Sequence, residues 1–408
     1  MTQYGLLGET LRHSFSPRLH KALAGYEYAL LPTPPDKVAK LLHERNFRGL
    51  NVTLPYKQTV IPLCDEVDPR AAAIGAVNTL VNRNGRLIGY NTDIDGLIYM
   101  AKRAGVEITG KNVLILGSGG TSRTAQAATR ELGAASITVI SRRGEDNYRN
   151  IARHQSTEVI INTTPVGMFP QCGASPVDIS LFPALTGVLD VVYNPLRTAL
   201  IMQAEERKIP CSSGLPMLVA QARRAAELFT DCTIPDQQME DVLENLTAEL
   251  TNIILIGMPG CGKTTIGAAL AKSLNRDFVD LDQMIERRAG KSIPRIFAED
   301  GEEPFRALER ECIREIGAAT GRVISTGGGC VTREENYAPL HQNGVIVHLT
   351  RPLDLLPTEG RPISQRTNLA ALWQQRKVMY ERFADLTVPN TGTPTETAER
   401  IGKELRNL

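Results

Sequence analysis

Two stretches of this chain share one pattern: an apolar, β-branched run, then a glycine-rich loop, then a helical pattern. The first is Asn112-Val-Leu-Ile-Leu116 leading into Gly117-Ser-Gly119-Gly120. The second is Asn252-Ile-Ile-Leu-Ile256 leading into Gly257-Met-Pro-Gly260-Cys261-Gly262-Lys263-Thr264. Short, unbroken apolar runs suit parallel strands buried on both faces. Glycines between such a strand and a helix present backbone N–H groups at a helix N-terminus, where phosphate binds. The chain is thereby committed to two nucleotide-binding α/β units, and the loops differ too much to be copies of one another. A length of 408 residues agrees, because domains of roughly 100–200 residues predict two or three units.

Composition narrows the partners. Hydrophobic residues make up 42% and charged residues 22%, with a formal net charge of +1. That balance builds no broad field for nucleic acid or an anionic membrane, so small-molecule chemistry is expected. The 7 cysteines are odd in number and scattered, without the C-x-x-C spacing of zinc or redox sites. No basic, apolar leader opens the sequence and no run is apolar enough to span a bilayer. A soluble, cytoplasmic protein is the expectation. Oligomeric state is not read from the sequence.

Between the two loops, Met239, Val242, Leu243, Leu246 and Leu250 recur at helical spacing, which predicts a helical join over 235–250 and a module boundary near Thr251. Ahead of the first loop, Leu50-Asn-Val-Thr-Leu54 and Asn78-Thr-Leu-Val-Asn82 read as strands of a separate substrate lobe. The predicted fold class is α/β: a substrate lobe, a Rossmann-type dinucleotide-binding lobe, then a phosphate-loop α/β domain with a parallel sheet.

The second loop matches G-x-x-x-x-G-K-[ST], with a strand before it and a helix from Thr265 to Leu274 after it. Its glycines turn N–H groups inward on ATP phosphates, Lys263 places a cation at the β/γ oxygens, and the Thr264 hydroxyl suits Mg²⁺. Phe278-Val-Asp280-Leu-Asp282 sets two carboxylates on one face of a predicted strand. Taken alone, a solvated strand end is the lesser alternative reading.

Further along come Gly301-Glu-Glu-Pro-Phe305-Arg306 with Glu309, Ser325-Thr326-Gly327-Gly328-Gly329, Gly360-Arg361-Pro362, and Arg376 with Tyr380. In this order 252–408 resembles the shikimate kinases. The resemblance implies that Asp282 holds the shikimate hydroxyls and orients the attacking one, with Asp280 and Thr264 on the Mg²⁺ side. It implies that Arg306 and Arg376 clamp the carboxylate and that Gly327, Gly328 and Gly329 approach the ring. Gly257, Gly260, Cys261, Gly262, Lys263, Thr264 and Thr265 would hold ATP, with Arg361 closing from a lid. Two departures stand out: the stretch from Leu349 to Arg361 is short, and Val378 follows Arg376-Lys377 where many members have proline.

The first loop alone is also readable as a plain strand-to-helix turn. It gains meaning from the next predicted strand, Ser136 to Ile140, which ends in Ser141-Arg142-Arg143 about 20 residues on, where an NAD-binding protein carries an acid. Arginines there suit the 2′-phosphate of NADP, although Glu145 and Asp146 follow closely.

Around it, Gly5-Leu-Leu-Gly8, His13-Ser14-Phe-Ser16-Pro17, Asn51-Val-Thr53-Leu-Pro55-Tyr-Lys57, Ile74-Gly-Ala-Val-Asn78-Thr79 and Asn91-Thr92-Asp93 occur in order. Asn162-Thr-Thr-Pro-Val-Gly167-Met168, Asp190-Val-Val-Tyr193-Asn-Pro195 and Gly214-Leu-Pro-Met217-Leu-Val-Ala-Gln221 complete the series. Together these resemble the shikimate dehydrogenases over 1–245, with 1–100 and 214–245 as the substrate lobe and 101–213 as the NADP lobe.

A ketone that accepts hydride needs a proton donor at its oxygen, and Lys57, held by Asp93, fills that role by the resemblance. Ser14, Ser16 and Tyr193 would bind the carboxylate; Thr53, Asn78 and Gln221 would read the hydroxyls. Met217 would line the nicotinamide pocket, while Gly117, Gly119, Gly120, Thr121, Ser141, Arg142 and Arg143 would hold NADP. Thr121 and Ser141 depart from the usual alanine and asparagine. His13 is expected to be structural, and no metal is placed in this half.

The two resemblances fit one another: the first would make the 3-hydroxyl of shikimate from 3-dehydroshikimate, and the second would phosphorylate it. Two alternatives stay open, quinate oxidation with NAD in the first half and a metabolite-sensing regulator built on retired enzyme domains.

Overall fold

The computed structural model describes residues 3–11, 14–356 and 369–407. The chain forms two compact units, Met1–Asn194 with Thr198–Leu246, and Pro195–Arg197 with Thr247–Leu408. The boundary falls inside a helix, Asp236–Leu250, at the place where the apolar spacing predicts one. Among the described residues no helix is long and apolar enough to cross a membrane.

The first unit carries two sheets. Its mixed sheet is made of β1 (Tyr4–Gly8), β2 (Ala29–Pro32), β3 (Gly49–Val52), β4 (Glu66–Val67), β5 (Thr79–Arg83) and β6 (Arg86–Tyr90), in the order β2-β1-β3-β5-β6-β4. β5 and β6 form a hairpin across Asn84-Gly85, whose φ values of 53° and 88° are those a two-residue primed turn requires.

The second sheet is wholly parallel: β7 (Asn112–Leu116), β8 (Ser136–Ile140), β9 (Val159–Asn162), β10 (Gly187–Asp190) and β11 (Cys211–Ser212), in the order β11-β10-β9-β7-β8. Val113, Ile115, Ile161 and Leu189 enter one core, and Leu114, Leu116, Ile160 and Val188 enter another. Both faces are thus buried, which is why β7 reads as an unbroken apolar run. The strand order reverses beside β7, so the crevice at its carboxyl end, where its glycine loop lies, is the ligand position of an open α/β sheet.

This order is shorter than the six-stranded 3-2-1-4-5-6 arrangement of the Rossmann fold. The chain between β8 and β9 forms only a bridge, Ser141 to Asn147, and a 3-10 turn, Ile151–His154. Among the described residues no strand lies outside β8, which stays at the sheet edge.

The second unit has one parallel sheet: β12 (Asn252–Ile256), β13 (Phe278–Asp280), β14 (Val323–Ser325), β15 (Gly344–Thr350) and β16 (Leu386–Pro389), in the order β13-β14-β12-β15-β16. Every residue of β12 is buried, and the helix Lys263–Leu274 follows its loop. One expectation is corrected here. Asp280 and Asp282 do not share a strand face, because β13 ends at Asp280 and Leu281 opens the helix Leu281–Ala289. The Asp280 carboxylate accepts from Gln283 N at 3.1 Å and caps that helix. Asp282 therefore sits in its first turn.

Candidate active sites

In the first unit, short-range order fixes the turn that carries Lys57. Thr53 N donates to Leu7 O (2.9 Å), Tyr56 N to Thr53 O (3.0 Å) and Val77 N to Lys57 O (2.7 Å). The buried Tyr56 ring anchors the turn from below, its hydroxyl donating to Thr33 O at 2.7 Å. Lys57 Nζ then stands 2.6 Å from Asp93 Oδ2, with side chains 25% and 14% exposed. Asp93 opens the helix Asp93–Arg103, whose N-terminal dipole favours a carboxylate. Asn78 places that helix start, its Oδ1 accepting from Thr92 N at 2.7 Å and its Nδ2 donating to Thr92 Oγ1 at 3.1 Å.

A cavity of about 510 Å³ opens at this pair, and every substrate-binding residue expected from sequence for this half lines it: Ser14, Ser16, Thr53, Lys57, Asn78, Asp93, Tyr193 and Gln221. Ser14 Oγ donates to Ser16 Oγ at 3.1 Å. Burial pushes the Tyr193 hydroxyl pKa up, so it stays a neutral donor. Met217 and Gln221 come from the helix Leu215–Thr230, which crosses Asp93–Arg103 at Gly96. A Cβ on Gly96 would lie 2.6 Å from Met217 O, so only glycine allows the approach. His13 lies outside the described residues.

The same cavity reaches Thr121 on the helix Gly120–Glu131, so it meets the cofactor loop. Gly117 has φ 105° and packs against Thr163, whereas a Cβ on Gly119 or Gly120 would meet nothing within 4 Å. That leaves bare backbone facing open space. Beyond β8, Arg142 and Arg143 are exposed, and Ser141 Oγ donates to Arg143 O. Asp146 is turned to His154 Nε2 at 2.9 Å.

Sequence reading gave no role to Asn51, which also lines the cavity. Its Oδ1 accepts from Tyr28 O–H at 2.8 Å and its Nδ2 donates to Thr79 Oγ1 at 3.0 Å. His20 stacks on Tyr28 with ring centroids 4.2 Å apart, and burial depresses its pKa to about 3. It is a neutral part of the packing.

In the second unit a cavity of about 590 Å³ is lined by Gly260, Gly262, Lys263, Thr264 and Thr265 on one side and by Asp282, Arg306, Gly327, Gly328, Gly329 and Arg376 on the other. Lys263 Nζ donates to Gly257 O (2.9 Å) and Met258 O (3.1 Å), inside its own loop. Gly257 and Cys261 do not reach the cavity wall. Gly257 takes φ 142° against Leu349 O, and Cys261 is fully buried beneath the loop. Thr264 Oγ1 donates to Asp280 Oδ2 at 2.8 Å. Arg361 lies outside the described residues.

The glycine triplet is required by space. A Cβ would lie 2.8 Å from Asp282 Oδ1 at Gly327, 2.7 Å from Pro259 Cδ at Gly328 and 2.7 Å from Arg306 Nη2 at Gly329. From the other side Arg376 Nη1 and the Tyr380 hydroxyl both donate to Gly328 O, at 2.9 and 2.5 Å. Arg306 is 3% exposed and pairs with the equally buried Glu309 at 2.8 Å. Burial raises the carboxyl pKa of both Asp282 and Glu309. Glu309 stood in the sequence motif without a role. It lines the cavity, and its Oε1 has no hydrogen-bond partner among the described residues.

Three family models match the chain. Residues 6–80 match the shikimate dehydrogenase substrate binding domain and 214–244 the shikimate 5′-dehydrogenase C-terminal domain. The NADP(+) shikimate dehydrogenase of Symbiobacterium thermophilum is 34% identical over 257 residues, 55% of this chain and 87% of the relative. The chain belongs to the shikimate dehydrogenase family. Behind that dehydrogenase, residues 259–406 match the shikimate kinase model, so one chain carries two enzymes of the shikimate pathway.

Among solved structures, the chorismate mutase/shikimate 5-dehydrogenase fusion of Clostridium acetobutylicum is 33% identical, with a TM-score of 0.58, covering 60% of this chain and 97% of that one. The shikimate 5-dehydrogenase of Thermus thermophilus, solved with NADP(H) and shikimate, is 32% identical with a TM-score of 0.55, covering 60% and 99%.

Proposed function

We propose that the module 1–245 reduces 3-dehydroshikimate to shikimate with NADPH, and that the module 252–408 then phosphorylates the shikimate 3-hydroxyl with ATP and Mg²⁺. The observation that carries the reading is the Lys57–Asp93 pair at 2.6 Å in a cavity lined by every substrate residue expected from sequence and reaching the cofactor loop at Thr121.

NADPH supplies the hydride. Hydride added to the carbonyl carbon would leave charge on the oxygen, where Lys57 Nζ would deliver the proton to give the alcohol. Asp93 fixes that ammonium and accepts from a neighbouring hydroxyl. Ser14, Ser16 and Tyr193 hold the carboxylate by neutral donors; Thr53, Asn78 and Gln221 take the ring hydroxyls. Gly117, Gly119 and Gly120 would cradle the pyrophosphate, Ser141, Arg142 and Arg143 would take the 2′-phosphate, and Met217 would line the nicotinamide pocket. The engagement of Asp146 by His154 removes one carboxylate from competition for that phosphate.

In the kinase, ATP supplies the γ-phosphoryl group. Asp282 accepts hydrogen bonds from the substrate hydroxyls and takes the proton of the attacking one, while Arg306 and Arg376 receive the carboxylate. Mg²⁺ fits the Thr264 hydroxyl, with Asp280, already bonded to that hydroxyl, behind it. The protein is proposed to act in the cytoplasm.

Initial rates with shikimate and NADP⁺ against quinate and NAD⁺ test the first half. The reading expects shikimate with NADP⁺ to be faster by at least tenfold in kcat/KM. A preference for quinate with NAD⁺ would replace it, and no turnover with either pair would favour a regulator built on enzyme domains.

A further inference from the structure

Arg351 is a cation at the kinase cavity that none of the roles above uses. β15 pairs with β16 as far as Thr350 and Pro389, and the next residue, Arg351, lines the same cavity as Gly260, Gly262, Lys263 and Thr264.

The backbone leading to it is fixed against the phosphate loop. Gly257 approaches Leu349 so closely that a Cβ would lie 2.4 Å from Leu349 O. Asn390 N donates to Thr350 O at 2.8 Å, and Asn390 Nδ2 donates to Cys261 O at 2.8 Å. The strand end and the loop are therefore tied together immediately before Arg351.

The other cations of the cavity are already engaged: Arg306 by Glu302 and Glu309, Lys263 by loop carbonyls, Arg376 by Gly328 O. Asp282, Glu286 and Glu309 also line it, yet Arg351 forms no ion pair with a described residue and is exposed. An arginine left without a carboxylate beside a phosphate-binding loop is suited to an incoming anion, since its planar fork matches phosphate oxygens and its charge never titrates away.

We propose that Arg351 binds the phosphate chain of the nucleotide, adding a contact from the end of β15 to those of Lys263 and Thr264. The inference rests on the kinase reading and names one more residue of that site.

The test uses the full chain and its Arg351→Ala and Arg351→Lys variants, each checked by thermal melting. Calorimetry measures MgADP affinity, and displacement of ADP measures inorganic tripolyphosphate, a probe with no base. Arg351→Ala is expected to weaken both ligands by roughly tenfold or more, as loss of a charge-assisted hydrogen bond does. Arg351→Lys should recover part of the loss, and in turnover the KM for ATP should rise while that for shikimate holds.

ADP affinity within twofold of wild type in Arg351→Ala would overturn the proposal. So would a loss seen with ADP and absent with tripolyphosphate, because the guanidinium would then be reading the base. A wild-type chain that binds neither ligand would remove the kinase reading itself, and this inference with it.

Discussion

Lys57 and Asp93 keep 25% and 14% of their side chains exposed where they line an open cavity, so their closeness says more about function than about stability: an ion pair that solvent still reaches contributes on the order of 1 kcal/mol. Lys57→Ala is accordingly predicted to melt near wild type while ketone reduction falls by roughly 10²–10⁴-fold, the usual share of a general acid. Steady-state NADPH oxidation measures it, and unchanged kcat would clear Lys57 of the role. Gly328→Ala should act in the other half. Its Cβ would press on Pro259 of the phosphate loop at 2.7 Å, so kinase turnover should drop by more than tenfold with the dehydrogenase intact.

Asp190 offers a pH test. It is fully buried, accepts from Asn162, Thr198 and Val192, and burial pushes its pKa up from 3.8 to about 6. A carboxyl whose folded pKa exceeds its unfolded one adds stability that is whole below the unfolded value and is lost as pH rises through the folded one. The loss between pH 4 and 7 is on the order of 3 kcal/mol at about 1.4 kcal/mol per unit. Melting of Asp190→Asn should therefore improve relative to wild type across that range, and a pH-independent difference would refute the assignment. At this scale, motif residues such as Lys57 and Asp282 were legible because their chemistry demands a type at a spacing. Asn51 was not, since its role comes from tertiary partners, Tyr28 and Thr79; Glu309 pairs with Arg306 one turn earlier on its own helix, and what the sequence does not show is that both are buried at the cavity.

Among the elements, the helices Asp93–Arg103 and Leu215–Thr230 carry Asp93, Met217 and Gln221, and Gly96 sets their separation. Alanine in a helix interior ordinarily gains up to about 1 kcal/mol over glycine. Here the added Cβ meets backbone at 2.6 Å, and overpacking of that kind costs roughly 1–3 kcal/mol. Gly96→Ala should lower the melting temperature and the dehydrogenase kcat/KM together; a raised melting temperature would contradict the close crossing. β7, β8 and β12 were readable to the residue, because burial on both faces leaves an unbroken β-branched signature in β7 and β12. The end of β13 was not, since the Asp280 cap that stops it is a local hydrogen bond competing with an alternating pattern that fits a strand equally well. The order β11-β10-β9-β7-β8 was hidden as well, because strand neighbours are chosen by packing across the sheet. The two-residue strands β4 and β11 are too short to show any period.

At the scale of the whole molecule, the central claim is two active sites working in sequence on one metabolite. Each has its own cavity and its own phosphate-type loop, so Lys263→Ala should silence phosphorylation by at least 10²-fold and leave ketone reduction at the wild-type rate. Lys57→Ala should do the reverse when shikimate is supplied directly. If either change silenced both activities in a folded protein, the sites would not be independent. The most direct measurement supplies purified chain with 3-dehydroshikimate, NADPH, ATP and Mg²⁺, and follows NADPH, ADP and phosphorylated product together. Equal NADPH consumption, ADP formation and shikimate 3-phosphate, with ADP lagging behind NADPH loss, is the predicted result; ADP formed without NADPH loss, or NADPH lost with no phosphorylated product, would contradict it.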